Sequence, residues 1–332
     1  LLTLGTTLPK WQMQASWVRG LENNGAEVEV VRYTQGNHIE MNLWERGLYN
    51  LKVVWWAWRF LSLRGACRRG NLTLRLDRHD PAERDLAMTF ETNSLIIFSL
   101  GADVLLPQTL RLIKWLAKAP LVVLSGVSPV SNGNPRERAI AKFTDLAAVN
   151  DEGHAREWRK LGVKKAVVLP ISGMDPELHW RRIREIRGIR GIRDIDVLFV
   201  GTMTPARKEF FNKLRKLLPE SVNFVVKEFV WEEEYAQMMS RAKIVLNPIR
   251  PEMAGGANLR MFEIPAFGAM ELASFGKKEW LIPGKEMLIY KDAEEAAELI
   301  VKYLKEGKKR EEMAERGRKR VLEEHTFEDR AR

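Results

Sequence analysis

Residues 243 to 274 read KIVLNPIRPEMAGGANLRMFEIPAFGAMELAS. KIVLNP (243–248) and MELAS (270–274) have the apolar, partly β-branched character of buried strands. Between them lie a loop with two adjacent glycines and a stretch that starts a helix, with Asn258 placed to cap it. The start of a helix offers unpaired N–H groups and the positive end of the dipole, and so awaits an anion. Glu263 is a lone carboxylate in the otherwise apolar run after that loop. It is not itself that anion, and its presence needs another reason.

The strand and helix alternation extends in both directions. Upstream come DVLFVG (196–201), a helix from 206 to 218, VNFVVKE (222–228) and a helix over 232–241; downstream come EMLIY and a helix from 293 to 305. The first half repeats the pattern. LLTLG, a helix from Trp11 to Asn23 stopped at Gly25, and EVEVVRY form one strand–helix–strand unit. Further strands are predicted at 94–100, 121–125, 145–149 and 166–170. The segment RRIREIRGIRGIRDI, with isoleucine at 183, 186, 189, 192 and 195, has a period of three that drifts around an α-helix. Gly188 and Gly191 weaken a helix further, so the segment reads as a basic linker. The expected class is α/β, with two tandem doubly wound, Rossmann-like domains facing a cleft. The divisions are a first domain over 1–182, a linker over 183–195, a second domain over 196–324 and a segment over 325–332 returning to the first. In that last segment Thr326 is suited to cap a helix, with Glu328 and Asp329 in its first turn.

Composition narrows the function classes. With 332 residues, 45% hydrophobic and 30% charged, the chain has the make-up of a two-domain globular protein. The single cysteine, Cys67, excludes an internal disulfide and a cysteine-based zinc site, which favours a reducing compartment; the cytoplasm is the expected location. No apolar stretch approaches the roughly 20 residues of a spanning helix, and LLTLGTTLPK lacks the features of a signal peptide. A net charge of +10 points to an acidic partner, whether phosphorylated small molecule, anionic membrane or nucleic acid.

In VGTMTPARKEFF, Gly201 permits a tight turn and Arg207 and Lys208 open a helix, where cations oppose the dipole unless an anion joins them. The glycines at 255 and 256 and Asn258 form a second phosphate candidate on the same sheet edge. Neither matches the Gly-Lys-Ser/Thr phosphate loop or the dinucleotide fingerprint, so ATP hydrolysis and hydride transfer are poorly supported. Asp194-Ile195-Asp196 resembles a metal-binding Asp-x-Asp but precedes its strand, at the edge opposite the ligand, and no histidines cluster at ligand spacing. No metal or other cofactor is expected.

The stretch from Asp196 to Arg332, with VLFVGTMTPARKEFF, the segment quoted first, PGKEMLIY and EEHTF, resembles the nucleotide-sugar half of GT-B glycosyltransferases. It is most similar to the CgeB-like, spore-maturation branch beside glycosyltransferase family 4. FTDLAAVNDEGHAREWRKLGVKKAVVLPISGMDP resembles the end of such an enzyme's acceptor domain, and the likeness is weakest over residues 34 to 90. It implies a hexosyltransferase-type enzyme that moves a sugar from a nucleoside-diphosphate donor to an unidentified acceptor, with retention and without a metal. It also implies that Glu263 accepts from the donor's ribose hydroxyls, for which a two-oxygen carboxylate is suited. Gly5, Gly201, Thr202, Asn247, Gly255, Gly256, Ala257 and Leu259 would line the donor site, with Arg207, Lys208, Asn258 and Arg260 offsetting the charge of the departing diphosphate. The alternative for Glu263 is a pair with Arg260 on one helix face. The chain departs from family 4 eight residues before Glu263, where Gly255 replaces the glutamate that touches the donor sugar.

On the acceptor side, Ser125 and Ser128 in LVVLSGVSPVSN, Asp151 at a helix start and His38 are candidates, against readings as turn serines, an N-cap and a structural histidine. Residues 48 to 70, LYNLKVVWWAWRFLSLRGACRRG, combine tryptophan with arginine; they read as a core helix or as an interfacial segment at the inner face of a membrane. Nucleic acid is the less favoured partner. A nucleotide-sugar epimerase of the same fold is the related alternative, and a non-catalytic module binding polysaccharide, nucleic acid or membrane is the alternative from another class.

Overall fold

The computed structural model describes residues 2–6, 13–26, 28–33, 51, 54, 95–98, 106–117, 119–126, 135–175, 193–249 and 256–332. Their strands form two sheets. The first contains β1 (Leu2–Thr6), β2 (Glu29–Tyr33), β3 (Leu95–Phe98), β4 (Leu121–Ser125), β5 (Leu146–Val149) and β6 (Lys165–Val168), in the order β2-β1-β3-β4-β5-β6. The second contains β7 (Ile195–Val200), β8 (Phe224–Lys227), β9 (Ala242–Asn247), β10 (Met270–Ala273) and β11 (Leu288–Ile289), in the order β11-β10-β9-β7-β8. Neighbouring strands run parallel in both.

Parallel strands need crossovers. In the first domain these include α1 (Met13–Asn23), α2 (Pro107–Ala117), α3 (Pro135–Ala141) and α4 (Glu152–Lys160). The second has α5 (Pro205–Leu217), α6 (Glu232–Arg241), α7 (Leu259–Ala266), α8 (Ala293–Lys305) and α9 (Gly307–Glu324). Strand alternation sorts its core. Val197, Phe199, Ile244, Leu246, Met270 and Leu272 pack with Phe211 and Leu214 of α5 and Ala296 and Ile300 of α8. Leu198, Val200 and Val245 pack on the opposite face with Ala236 and Met239 of α6. Each large side chain so buried contributes about 1.5–3 kcal/mol, enough to hold a sheet covered on both faces.

The two sheets share a topological rule. Each begins on an interior strand, adds its second strand on one side, and then continues on the other, placing a switch point between β1 and β3 and another between β7 and β9. Ligands of open α/β sheets bind outside the carboxyl ends of strands at such a point. Gly201 directly follows β7, and Asn247 ends β9. At the opposite edge, Asp194 pairs with Arg241 and Asp196 with Lys243 (2.6 Å), so both carboxylates of the Asp-x-Asp stretch are engaged in ion pairs.

After α9 the chain crosses back. The Met174 N–H donates to His325 O and the Phe327 N–H to Met174 O, both at 2.9 Å. The last helix, α10 (Phe327–Ala331), is capped by Thr326 in a capping box with Asp329. It lies against α1, where Phe327 meets Trp17 edge-on at 6.1 Å and Trp17 Nε1–H donates to Ile171 O at 2.7 Å. His325 is buried at this seam: its Nε2 is 2.7 Å from Trp280 O and its Nδ1 is 2.8 Å from an Arg330 Nη2–H. Burial and the Arg330 charge push its pKa down to about 4, and a neutral ring that donates through Nε2 and accepts at Nδ1 satisfies both neighbours.

Most predicted elements occur within a residue or two of their expected bounds. Helices α2, α3 and the 18-residue α9 are not predicted from the sequence. The inward face of α9 is made of Met313, Ala314, Gly317 and Val321 with the stems of Arg310 and Arg318, and dense charge hides that stripe. Linker residues 183–192, and the 48–70 segment apart from Leu51 and Val54, lie outside the described residues. No helix among the described residues is long and apolar enough to cross a membrane.

Candidate functional site

Gly201 has φ 153°, a conformation L side chains rarely adopt, and a Cβ there would stand 2.9 Å from Nη2 of Arg260. The glycine therefore lets the guanidinium lie directly on the loop after β7. Arg260 Nε is buried with no hydrogen-bond partner among the described residues. A half-buried guanidinium with a buried, unbonded Nε at the carboxyl end of the strands suits a phosphate, with which arginine can form a planar two-point contact.

Arg260 belongs to the first turn of α7, whose N-cap is Asn258: its Oδ1 accepts from Met261 N–H at 3.0 Å. The cap is held from behind. Asn258 Nδ2 donates to Asn247 Oδ1 at 2.7 Å, and Asn247 Nδ2 donates to Asn258 Oδ1 at 3.0 Å and to Glu271 Oε1 at 2.7 Å. Asn258 and Asn247 thus spend their amides on one another and on the helix; they position the backbone N–H groups at this end. A neutral cap leaves the dipole's positive end uncompensated.

Glu263, one turn further on, accepts a hydrogen bond at Oε2 from the Tyr235 hydroxyl of α6 at 2.8 Å. Burial, reinforced by the Glu263 charge, pushes the Tyr235 hydroxyl well above its usual range, so it stays a donor. Tyr235 was invisible from sequence: it is 28 residues away, on another helix.

Arg207 is turned inward, 5.2 Å from the Phe199 ring centre, and donates to Thr202 O at 2.9 Å and Pro248 O at 2.6 Å. It braces the loop after β7 against the loop after β9. Thr204 caps α5, Thr202 and Lys208 are exposed, Ala257 is buried, and Leu259 is half-buried as the first residue of α7.

The first domain meets this edge directly. A Cβ on Gly256 would come within 2.7 Å of Asn150 Cβ and 3.4 Å of Asp151 Oδ2, so the close approach requires glycine. Asn150 ties its own loops together, donating to Gly126 O at 2.8 Å and accepting from Ile171 N–H at 3.1 Å. Asp151 is the N-cap of α4; Oδ1 accepts from His154 N–H at 3.0 Å and Oδ2 lies 3.1 Å from His154 Nδ1. Ser125 ends β4 fully buried, and Gly5 lies near the carboxyl end of β1, paired in register with Arg32. His38, Ser128 and Gly255 lie outside the described residues.

Two exposed aromatics escaped the sequence reading. Phe229, 76% exposed, and Trp231, 72% exposed, lie in the loop between β8 and α6. Phe229 has φ 54° although it is not glycine, which points its backbone through a tight turn at the ligand edge. Among the described residues, no group of three or more His, Cys, Asp or Glu side chains is arranged to hold a metal ion.

Two tandem doubly wound domains joined by a returning C-terminal helix form the GT-B architecture. Residues 181–332, rather less than half of the chain, match the family model described as glycosyl transferase-like. Solved structures agree in fold over nearly the whole length. Anabaena HepE in complex with UDP-glucose is 14% identical, with 98% of this chain and 95% of that one covered and a TM-score of 0.60. A glycosyltransferase from Rickettsia africae is 10% identical, with 99% and 95% covered and a TM-score of 0.54. The UDP-GlcNAc 2-epimerase of Neisseria meningitidis bound to UDP-GlcNAc is 12% identical, with 94% and 93% covered and a TM-score of 0.50. No curated protein matches the sequence.

Proposed function

We propose that the chain is a glycosyltransferase that moves a sugar from a nucleoside-diphosphate donor to a hydroxyl-bearing acceptor, with retention and without a metal. The observation that carries this reading is Arg260, its Nε buried with no hydrogen-bond partner among the described residues, lying on Gly201 beside the neutrally capped start of α7. Its support is the glycosyl transferase-like match over residues 181–332, together with a fold shared with proteins solved in complex with UDP and UDP-glucose.

In this reading the diphosphate rests on the N–H groups of residues 256–260, with Arg260 and exposed Lys208 offsetting its charge. Arg207 keeps the two loops in register. Glu263, held by Tyr235, accepts from the ribose hydroxyls, and Phe229 and Trp231 offer aromatic faces to the base. The bond from the anomeric carbon to the diphosphate oxygen breaks with its electron pair leaving on the diphosphate. The acceptor oxygen forms the new bond, and its proton passes to the leaving diphosphate. No protein nucleophile is required, so the protein's contribution is placement and electrostatics.

Thermal shift with UDP, UDP-glucose and uridine, each with and without EDTA, is the first test. A ligand at 100 times its Kd stabilises by about 2.7 kcal/mol. The expected order is UDP-glucose and UDP well above uridine, unaffected by EDTA. Glu263→Gln should weaken UDP binding about tenfold while leaving the ligand-free melting temperature within about 2 °C, since a neutral amide accepts less strongly from hydroxyls. Stabilisation by no nucleoside diphosphate of any base would defeat the reading; interconversion of sugar epimers in place of transfer would replace it with an epimerase.

A further inference from the structure

Glu271 is fully buried in the middle of β10, inside a parallel sheet where a β-branched or aliphatic side chain is the usual occupant. It shares its face of the strand with Ala273, in a cluster to which α7 contributes Met261 and Phe262, α9 contributes Val321 and β11 contributes Ile289, all apolar. Burial raises its pKa to about 8, opposed by the hydrogen bond from Asn247. Its Oε2 has no hydrogen-bond partner among the described residues. A carboxyl in this setting keeps its proton at neutral pH, and the cost of desolvating it invites the question of what it does.

The hydrogen-bond chain supplies the answer. Asn247 can face its neighbours with its amide in either sense, but Glu271 Oε1 accepts from Asn247 Nδ2. That choice sends the other Nδ2 proton to Asn258 Oδ1 and leaves Asn247 Oδ1 to receive Asn258 Nδ2. Asn258 is thereby held with Oδ1, its acceptor, toward the N–H of Met261. Turned over, it would present an NH2 group to an N–H, and the cap would be lost.

We propose that Glu271 is a positioning residue for the donor site: buried beneath β9 and α7, its Oε1 accepts from Asn247 Nδ2, selects the orientation of the Asn247–Asn258 amide pair and so fixes the N-terminal turn of α7 that carries Arg260. The assignment of a ligand to that turn rests on the glycosyltransferase reading, whereas the orientation itself does not. Ionisation of Glu271 places a charge in an apolar cluster with one neutral hydrogen bond, so the packing around the pair loosens as pH rises through about 8.

The test compares wild type, Glu271→Gln and Glu271→Leu. Gln keeps an acceptor oxygen where Oε1 stands and cannot ionise; Leu removes the acceptor. Hydrogen exchange of the α7 amides, corrected for the intrinsic rate, is followed between about pH 7 and 9, with UDP affinity measured in parallel. In wild type, protection of the Met261 amide and UDP affinity should both fall across this window, while Glu271→Gln stays flat and Glu271→Leu shows low protection at every pH. At pH 7, Glu271→Leu should bind UDP about tenfold more weakly, equivalent to one lost cap. Wild-type protection that does not change with pH, or a folded Glu271→Leu with wild-type protection at Met261, overturns the proposal. If Glu271→Leu does not fold, the contrast between wild type and Glu271→Gln decides alone. Absence of UDP binding at any pH would count against the donor reading, and the exchange data would still decide the role of Glu271.

Discussion

Two helix starts meet where the domains touch, and they are capped differently. Helix α4 in the first domain is capped by Asp151, a carboxylate; α7 in the second is capped by Asn258, a neutral amide. Gly256 brings them together, since even a methyl group on it would crowd Asn150 and approach Asp151 Oδ2. An anionic cap cancels the positive end of its helix from within, whereas a neutral cap satisfies the N–H groups and leaves the field for something else. The fold offers two similar helix ends, and cap chemistry makes the α7 end the one whose field is left open to an anion.

The largest expected effect tests the seam that holds the two ends together. His325 has a folded pKa near 4 against about 6.5 when unfolded, so its contribution to stability is present above 6.5 and lost as pH falls toward 4. Glu271 works in the opposite direction: its folded pKa near 8 exceeds the unfolded value of 4.5, so stability rises as pH falls from 8 to 4.5. The two oppose each other over the shared window and flatten the wild-type profile. Removing Glu271 should expose the histidine. Between pH 6.5 and 4, urea denaturation of Glu271→Gln should lose about 2–3 kcal/mol more than the Glu271→Gln/His325→Gln double variant. Parallel curves for the two would mean that His325 is protonated at no cost and that the seam is not closed around a neutral ring.

Arg260→Ala comes next. It should lower UDP affinity about 100-fold, or about 2.7 kcal/mol, while changing uridine affinity least, because the guanidinium lies where the phosphates would rest. Equal losses for both ligands in calorimetry would move Arg260 away from the phosphates.

The smallest effect addresses the caps themselves. Asn258→Asp gives α7 the cap of α4, and should cost about tenfold in UDP affinity, or about 1.4 kcal/mol, by supplying the helix end with its own anion. Asp151→Asn performs the reverse exchange on α4 and should leave UDP affinity within about twofold, with stability lower by about 0.3–1 kcal/mol. If the α4 exchange affects UDP binding as strongly as the α7 exchange, the contrast between the two ends is wrong.

Much of this arrangement was legible in the chain. Strands and most helices of the second domain follow directly from apolar runs and caps, and Asn258, Asp151 and Thr326 were recognisable as cap residues because capping is local. The candidate site was only half legible. Arg207 looked like a phosphate ligand from its place at a helix start, yet its guanidinium reaches back to two backbone carbonyls, because the loops after β7 and β9 come within its span only in the folded sheet.

By itself the sequence determined the α/β class, the alternation of strands and helices in both halves and the helix that begins at Leu259. These depend on periodicity and on contacts within a few residues. Tertiary structure alone decided that Tyr235 holds Glu263, that Arg260 lies on Gly201, that Gly256 must yield to Asn150, and that a glutamate inside β10 orients the cap of α7. Those pairs are brought together by strand order and helix packing. A single chain does not encode such distances locally, and the energy of each contact depends on the burial that the fold creates.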